Sequence, residues 1–291
     1  MTAGIFLLSA VIIWGWTFVA TKICLQYLSP LSVMGLRLFI GLPVMFAIIL
    51  ARGIKFNFRG HRKALILGAL IIAAHFLIQV NGIKYTSATN TGWLIAAIPL
   101  VTAVLAWLIL KEHIGRNIII GIIIATIGIL LLISKGKLLD FGWLSSVGDW
   151  LVLGSAHTWA LYTIATRDLA RTCNPIMITF SMLLAPTIVA LVAMPFTANW
   201  NVITNLPIDA ILSLLFLGIL GTAIAHWFWQ EGVSRLGAAR AGIYLYLEPL
   251  ATTALAVPYL HEPFGIYTVI GGLLVLTGVA LAQRNARLKS I

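Results

Sequence analysis

The chain contains itself twice. Shifted by 150 residues, Gly92, Pro99, Leu100, Thr102, Leu105, Ala106, Glu112 and Gly115 fall on Gly242, Pro249, Leu250, Thr252, Leu255, Ala256, Glu262 and Gly265, and the register runs on without a gap through Gly121/Gly271 and Gly128/Gly278. Between 82–132 and 232–282, 15 of 51 positions are identical. Prolines and glycines in register are not explained by a shared apolar bias, so the chain is a duplication. A second register, offset by 145, places Ala10, Trp14, Thr17 and Thr21 on Ser155, Trp159, Tyr162 and Thr166.

The duplication constrains topology because of what is duplicated. Apolar runs of spanning length occur at about 4–22, 31–51, 64–83, 90–110, 117–134, 147–166, 176–197, 209–229, 240–260 and 266–283. A helix needs roughly 20 such residues to cross a bilayer. With 61% hydrophobic and 9% charged residues, there is too little polar surface to cover a water-soluble core. Ten helices in two copies means five per copy, and an odd number makes the second copy start on the other side. The expected fold is therefore an all-α integral membrane protein, with ten transmembrane helices in two inverted five-helix repeats, 1–134 and 147–283. No basic stretch precedes the first run, which also has a counterpart in the second half, so it is read as a retained helix and not as a cleaved signal.

Orientation follows from the 19 basic residues. The connections after helices 2, 4, 6 and 8 and the C-terminal tail hold fourteen of them, while the opposite connections hold Lys22, Lys84, Lys135 and Lys137, and Arg37 lies inside helix 2. Both termini are predicted to be cytoplasmic. The net charge of +11 is thereby a topology signal, with no soluble basic domain to bind nucleic acid. Cys24 and Cys173 fall in connections on opposite sides, so no disulfide is expected between them.

Polar residues within the spans mark a candidate site. Glu248 sits near the middle of helix 9, where an acid costs about 2.5–3.5 kcal/mol on insertion scales and is by default functional. Four-residue spacing sets Tyr244, Glu248 and Thr252 on one face. The copy in helix 4 has Leu94, Ile98 and Thr102, with no charge. Trp14 and Trp159 lie too deep for the interfacial aromatic belt, whereas Trp143, Trp150, Trp200, Trp227 and Trp229 lie near helix ends where that belt is expected. The deep pair either packs the interior through its indole N–H groups or lines a cavity and stacks on a solute. His75 and Gln79 share a face of helix 3, and Thr222, His226 and Gln230 share one of helix 8; each histidine is either a hydrogen bond between helices or a proton carrier.

The candidate solute-binding set is Trp14, Thr17, His75, Gln79, Trp93, Trp159, Tyr162, His226, Tyr244, Glu248 and Thr252, with Glu248 also the proton-coupling candidate and Pro99 and Pro249 the hinge candidates. Arg37, about a turn and a half inside the outer end of helix 2, can pair with Glu248 only if depth allows, and is otherwise expected to snorkel to the outer headgroups. Glu112 and Glu262, at matching helix ends, are read as capping or loop residues, and the paired glycines of helices 5 and 10 as close-packing faces, spent within each half or in a dimer. There is no nucleophile elbow, zinc-ligand spacing, Walker loop or pair of intramembrane aspartates, so no enzyme, metal or cofactor is expected.

Trp14-Gly15-Trp16-Thr17-Phe18-Val19-Ala20-Thr21-Lys22, Leu36-Arg37-Leu38-Phe39 and the twin Pro-Leu segments ending at Lys111-Glu112 and His261-Glu262 resemble the EamA family of the drug/metabolite transporter superfamily. The resemblance spans essentially the whole chain. It implies a bacterial inner-membrane carrier, often an exporter of amino acids, metabolites or toxic compounds, with a cavity walled by helices 1, 3, 4, 6, 8 and 9. The expected partners are a small-molecule substrate, the lipid bilayer and protons, with one chain as the transport unit. The rival expectation is a membrane-embedded scaffold without transport, in which the polar stripes only join helices.

Overall fold

The computed structural model describes residues 2–55, 62–111, 116–139, 146–166, 169, 172–236 and 241–284. Within them the helices are α1 (Ala3–Cys24), α2 (Pro30–Ala51), α3 (Arg62–Tyr85), α4 in two pieces (Ala88–Ile95 and Ile98–Leu110), α5 (Arg116–Ser134), α6 (Val147–Ala165), α7 (Pro175–Thr197), α8 (Ile208–Leu236), α9 (Glu248–Leu260, led in by a 3₁₀ turn Ile243–Leu247) and α10 (Ile266–Arg284). A short helix, Trp200–Thr204, joins α7 to α8. The described spans that are long and apolar enough to cross a bilayer by themselves are α1, α2, α3, the α4 pair, α7 and α8. α9 falls short because its first turns are not α-helical, and α6 because Asp149, Ser155, His157 and Thr158 dilute its hydropathy.

Helix ends follow local chemistry. Both α2 and α7 begin with proline at the first helical position, behind an N-cap whose side chain accepts a backbone N–H: Ser29 from Ser32 and Asn174 from Ile176. α8 runs to Leu236, seven residues past the predicted end at 229, because the polar stretch after Trp229 continues the helix as an amphipathic extension. Cys24 closes α1 and is buried, not in a connection.

The two halves interlock. α1 packs along α8 and α9, and in mirrored fashion α6 packs along α3 and α4; α2 lies against α7 and α8, and α7 against α2 and α3. Each first-half contact thus has a second-half mate with the roles exchanged, as an inverted pair of repeats requires.

A close backbone approach lies between α5 and α10. A Cβ built on Gly128 would stand 2.6 Å from Gly271 O, and one on Gly278 would stand 2.5 Å from Gly121 O. These two contacts are images of each other under the 150-residue shift. The glycine faces are therefore spent between the halves, where the sequence suggested packing within each half or in a dimer.

Both α4 and α9 are interrupted at the same repeat position. α4 breaks at Ala96–Ala97, just before Ile98-Pro99, and the 3₁₀ turn of 243–247 ends just before Glu248-Pro249. Proline has no N–H for the carbonyl four residues back, and its ring crowds that carbonyl, so the turn before it loosens. At the far end of the pair, the Glu262 carboxylate accepts the N–H groups of Ala88 and Thr89 at 2.7 and 2.8 Å, capping the start of α4 from the end of α9. Glu112, its repeat mate, lies outside the described residues.

The α5/α10 crossing makes a direct prediction. Gly278→Ala should lower the midpoint of thermal unfolding in detergent, costing about 1–3 kcal/mol as overpacking does. Gly265→Ala, where nothing lies within 4 Å of the added carbon, should leave the midpoint in place. Equal midpoints for the two variants would show that the crossing does not depend on backbone contact.

Candidate functional site

A recess with about 440 Å³ of empty space lies between the halves, lined by Trp14, Thr17, Phe18, Arg37, His75, Phe76, Gln79, Ile95, Ile98, Trp159, His226, Leu245 and Glu248. Three pairs in this wall are repeat mates, Trp14 with Trp159, Ile95 with Leu245 and Ile98 with Glu248, and each half adds one histidine, His75 and His226, a single residue off the 150-residue register. The two indoles meet edge to face, ring centroids 5.3 Å apart at 83°. Each also meets the histidine of the other half's partner helix, Trp14 with His226 at 5.0 Å and Trp159 with His75 at 5.2 Å. The recess therefore sits where the pseudo-two-fold relation maps the wall onto itself.

Backbone carbonyls fix the rings. His75 Nδ1 donates to Ser155 O at 3.0 Å. His226 Nδ1 donates to Gly221 O at 2.9 Å, and the same carbonyl receives the Trp14 indole N–H at 3.3 Å. Gly221 belongs to a π-helical stretch of α8, Phe216–Ile224, whose wider turn frees this carbonyl for two donors. With Nδ1 holding the proton, each neutral imidazole keeps an Nε2 lone pair as an acceptor.

The two charges in the wall break the symmetry. Glu248, 3% exposed, stands at the first position of α9, and no hydrogen bond or ion pair to its carboxylate is present among the described residues. Arg37, 4% exposed, donates from Nε to Thr222 Oγ1 at 2.9 Å and lies over the Phe76 ring at 5.2 Å. The expectation that Arg37 snorkels is corrected: α2 is packed by α3, α7 and α8, and the side chain turns inward to the π-helical hydroxyl. Among the described residues no group of three or more His, Cys, Asp and Glu converges as a metal site.

Of the residues expected to bind solute, the recess brings together Trp14, Thr17, His75, Gln79, Trp159, His226 and Glu248. Tyr162 lines a neighbouring recess of about 250 Å³ with Trp159, His226, Trp229 and Gln230, and its hydroxyl accepts from Gln230 Nε2 at 2.8 Å. Trp93 turns the other way, its ring against the bare backbone of Gly272 in α10. Thr252 stands at the α4/α9 crossing beside Gly92, its hydroxyl on Glu248 O at 2.8 Å. Tyr244 is half-buried, with its hydroxyl beside Gly4. Pro99 and Pro249 mark the two helix breaks, and Ile98 and Glu248 just before them reach the recess.

Some wall residues escaped the sequence reading. Trp229, placed by sequence in the interfacial belt, is buried 5.4 Å from Trp14, because α8 continues two turns beyond it. The available signal was the spacing His75-Xaa-Xaa-Xaa-Gln79, which recurs as His226-Xaa-Xaa-Xaa-Gln230 at an offset of 151. His157, by contrast, is exposed and bonds back to Leu153 O, outside the recess.

Comparison with known proteins places this arrangement. The EamA-like transporter family matches twice, over residues 1–134 and 146–283. The chain is 28% identical over 288 residues to an uncharacterized transporter of Bacillus subtilis, YyaM, covering 98% of this chain and 94% of that protein. An uncharacterized transporter of Archaeoglobus fulgidus is 27% identical, covering 98% of this chain and 100% of that one. A solved crystal structure superposes with a TM-score of 0.72 at 19% identity, covering 97% of this chain and 98% of the other, and so shares its fold. A duplicated, inverted helical bundle whose two halves each match one family makes this chain a multi-pass membrane transporter of the EamA-like transporter family.

Proposed function

We propose that the protein is a secondary carrier of small organic solutes, of the size of amino acids, metabolites and drug-like compounds, working by alternating access of its two inverted halves. The observation that carries this reading is the recess itself. Its wall mixes aromatic faces with a few convergent polar groups, the lining usual for small-molecule sites, and it lies where the two halves meet. The broken helices beside it supply the freedom such a cycle needs: α4 has an α-helical piece on either side of its loosened turn, α9 begins behind a 3₁₀ turn, and both places reach the wall, through Ile95 and Leu245. In this reading both termini lie in the cytoplasm of a bacterial inner membrane, a side supported by the excess of basic residues in the connections there, and export is the direction that the family resemblance favours.

Reconstituted in liposomes without ATP, the protein should exchange a labelled solute across the bilayer, identified first by screening overexpressing cells against amino acids, analogues and drugs. Flux that required ATP hydrolysis would overturn the carrier reading. A scaffold would give no flux, and cysteines placed at Thr17 and Gln79 would label from neither side.

Glu248 is the proton-coupling group in this reading. A carboxylate held in the membrane without a base is costly while ionised, so gaining a proton or a cationic partner changes the stability of the helices around it. Exchange of a proton for solute lets the membrane potential contribute about 2.3 kcal/mol per 100 mV for each net charge moved. Glu248→Gln, isosteric and neutral, should keep the fold and solute binding but flatten the pH dependence of vesicle uptake and abolish accumulation against a gradient. A substituted protein that keeps the wild-type pH profile and still accumulates solute would make Glu248 a structural residue.

A further inference from the structure

The charges of the recess stand where the duplicate copy has none. Glu248 has Ile98 as its repeat mate. Arg37 lies seven residues after Pro30, the first residue of α2, and the position seven after Pro175, the first residue of α7, is Met182. Met182 lines the neighbouring recess, as Arg37 lines the central one. Packing alone is served in the second half by an apolar side chain, so a guanidinium in the first half answers some other requirement.

The guanidinium is held but not neutralised. It carries five N–H donors and stays protonated in proteins. Nε is spent on Thr222 Oγ1, whose own proton goes to Leu217 O at 2.8 Å, so the hydroxyl acts as a fixed acceptor that aims the group. The Phe76 ring supports it from one side. The four remaining donors, on Nη1 and Nη2, have no acceptor among the described residues, and Glu248 in the same wall makes no ion pair with them. A planar fork of unspent donors, pre-positioned at a recess and lacking a counter-ion, matches the two oxygens of a carboxylate.

Building on the carrier reading, we propose that Arg37, braced by Thr222, is the anion-binding subsite of the central recess, and that the protein selects solutes bearing a carboxylate. The subsite fixes one end of the solute near α2 and α8, which leaves the rest of the molecule to the faces of Trp14, Trp159 and Phe18. Arg37 is a specificity-determining residue in this assignment, and Thr222 a positioning residue.

The test compares acids with their own amides. Butanoate, 3-phenylpropanoate, leucine and phenylalanine, each beside the corresponding amide, are titrated into purified protein in detergent by calorimetry. The wild type should bind at least one acid of the panel about tenfold more tightly than its amide, in line with a charge-assisted bidentate pair. Arg37→Met, which installs the residue of the repeat mate, should erase the preference while leaving the amide within about twofold of its wild-type affinity. Arg37→Lys keeps a charge but loses the fork and should cut the preference at least severalfold, which guards against a methionine variant that does not fold. Acids and amides binding alike to the wild type, an absence of binding by all eight compounds included, overturns the assignment, as does a preference that survives both substitutions. Liposome flux is read separately: flux without the carboxylate preference removes the Arg37 subsite and leaves the carrier, whereas the preference without flux removes the carrier and leaves the subsite.

Discussion

A bilayer interior offers no water to an unpaired backbone group, so every interruption of a spanning helix must be enclosed by protein or face a cavity. This constraint organises the present structure. Pro99 and Pro249 each remove the α-helical donor of the carbonyl four residues back; at Leu245 the Glu248 N–H takes its place in the 3₁₀ turn, and both Ile95 and Leu245 are buried residues of the recess wall. The breaks that the prolines impose and the cavity that tolerates them are one feature. The π-helical stretch of α8 follows the same logic, since its displaced Gly221 carbonyl is satisfied by a histidine and an indole from the same wall.

The scaffold around that feature is close to symmetric, and its symmetry has a mechanical reading. Each half contributes one tryptophan, one histidine and one broken helix to the recess, and the halves are sewn together by the glycine crossings of α5 with α10. Backbone contacts of this kind are rigid, because no side chain between the two helices can rearrange. The opposing elements, α4 and α9, meet through Gly92 and Thr252 and through the Glu262 cap on Ala88 and Thr89. Hydrogen bonds at a helix end exchange more readily than interlocked backbone. In the carrier reading, the fixed crossing and the breakable cap divide the bundle into a part that holds and a part that moves.

Chemistry enters through the departures from symmetry. Arg37 and Glu248 come from opposite halves, are nearly fully buried, and have apolar mates in Met182 and Ile98. Neither neutralises the other by contact. An otherwise duplicated wall thereby gains a direction, with a donor fork at one place and a carboxylate at another, and the imidazoles of the same wall, donating through Nδ1 to backbone carbonyls, keep Nε2 for whatever enters.

The sequence by itself determined the helix count, the inversion and the position of both helix breaks, because hydropathy run length, an odd number of spans and a paired proline are local properties that a bilayer translates directly into structure. It also singled out Glu248, since charge in an apolar run is legible without a fold. Direction around a helix axis was another matter. Trp93 and Thr252 share their helices with recess residues yet face α10 and the α4/α9 crossing, and Trp229 was assigned to a helix end only because the polar continuation to Leu236 did not read as part of a span. Arg37 shows the limit most plainly: a basic residue a turn and a half from a helix end can reach headgroups or turn inward, and the choice was made by the Thr222 hydroxyl and the Phe76 ring on two other helices. Neighbouring helices, which no single stretch of sequence contains, decide which face of each span sees the cavity.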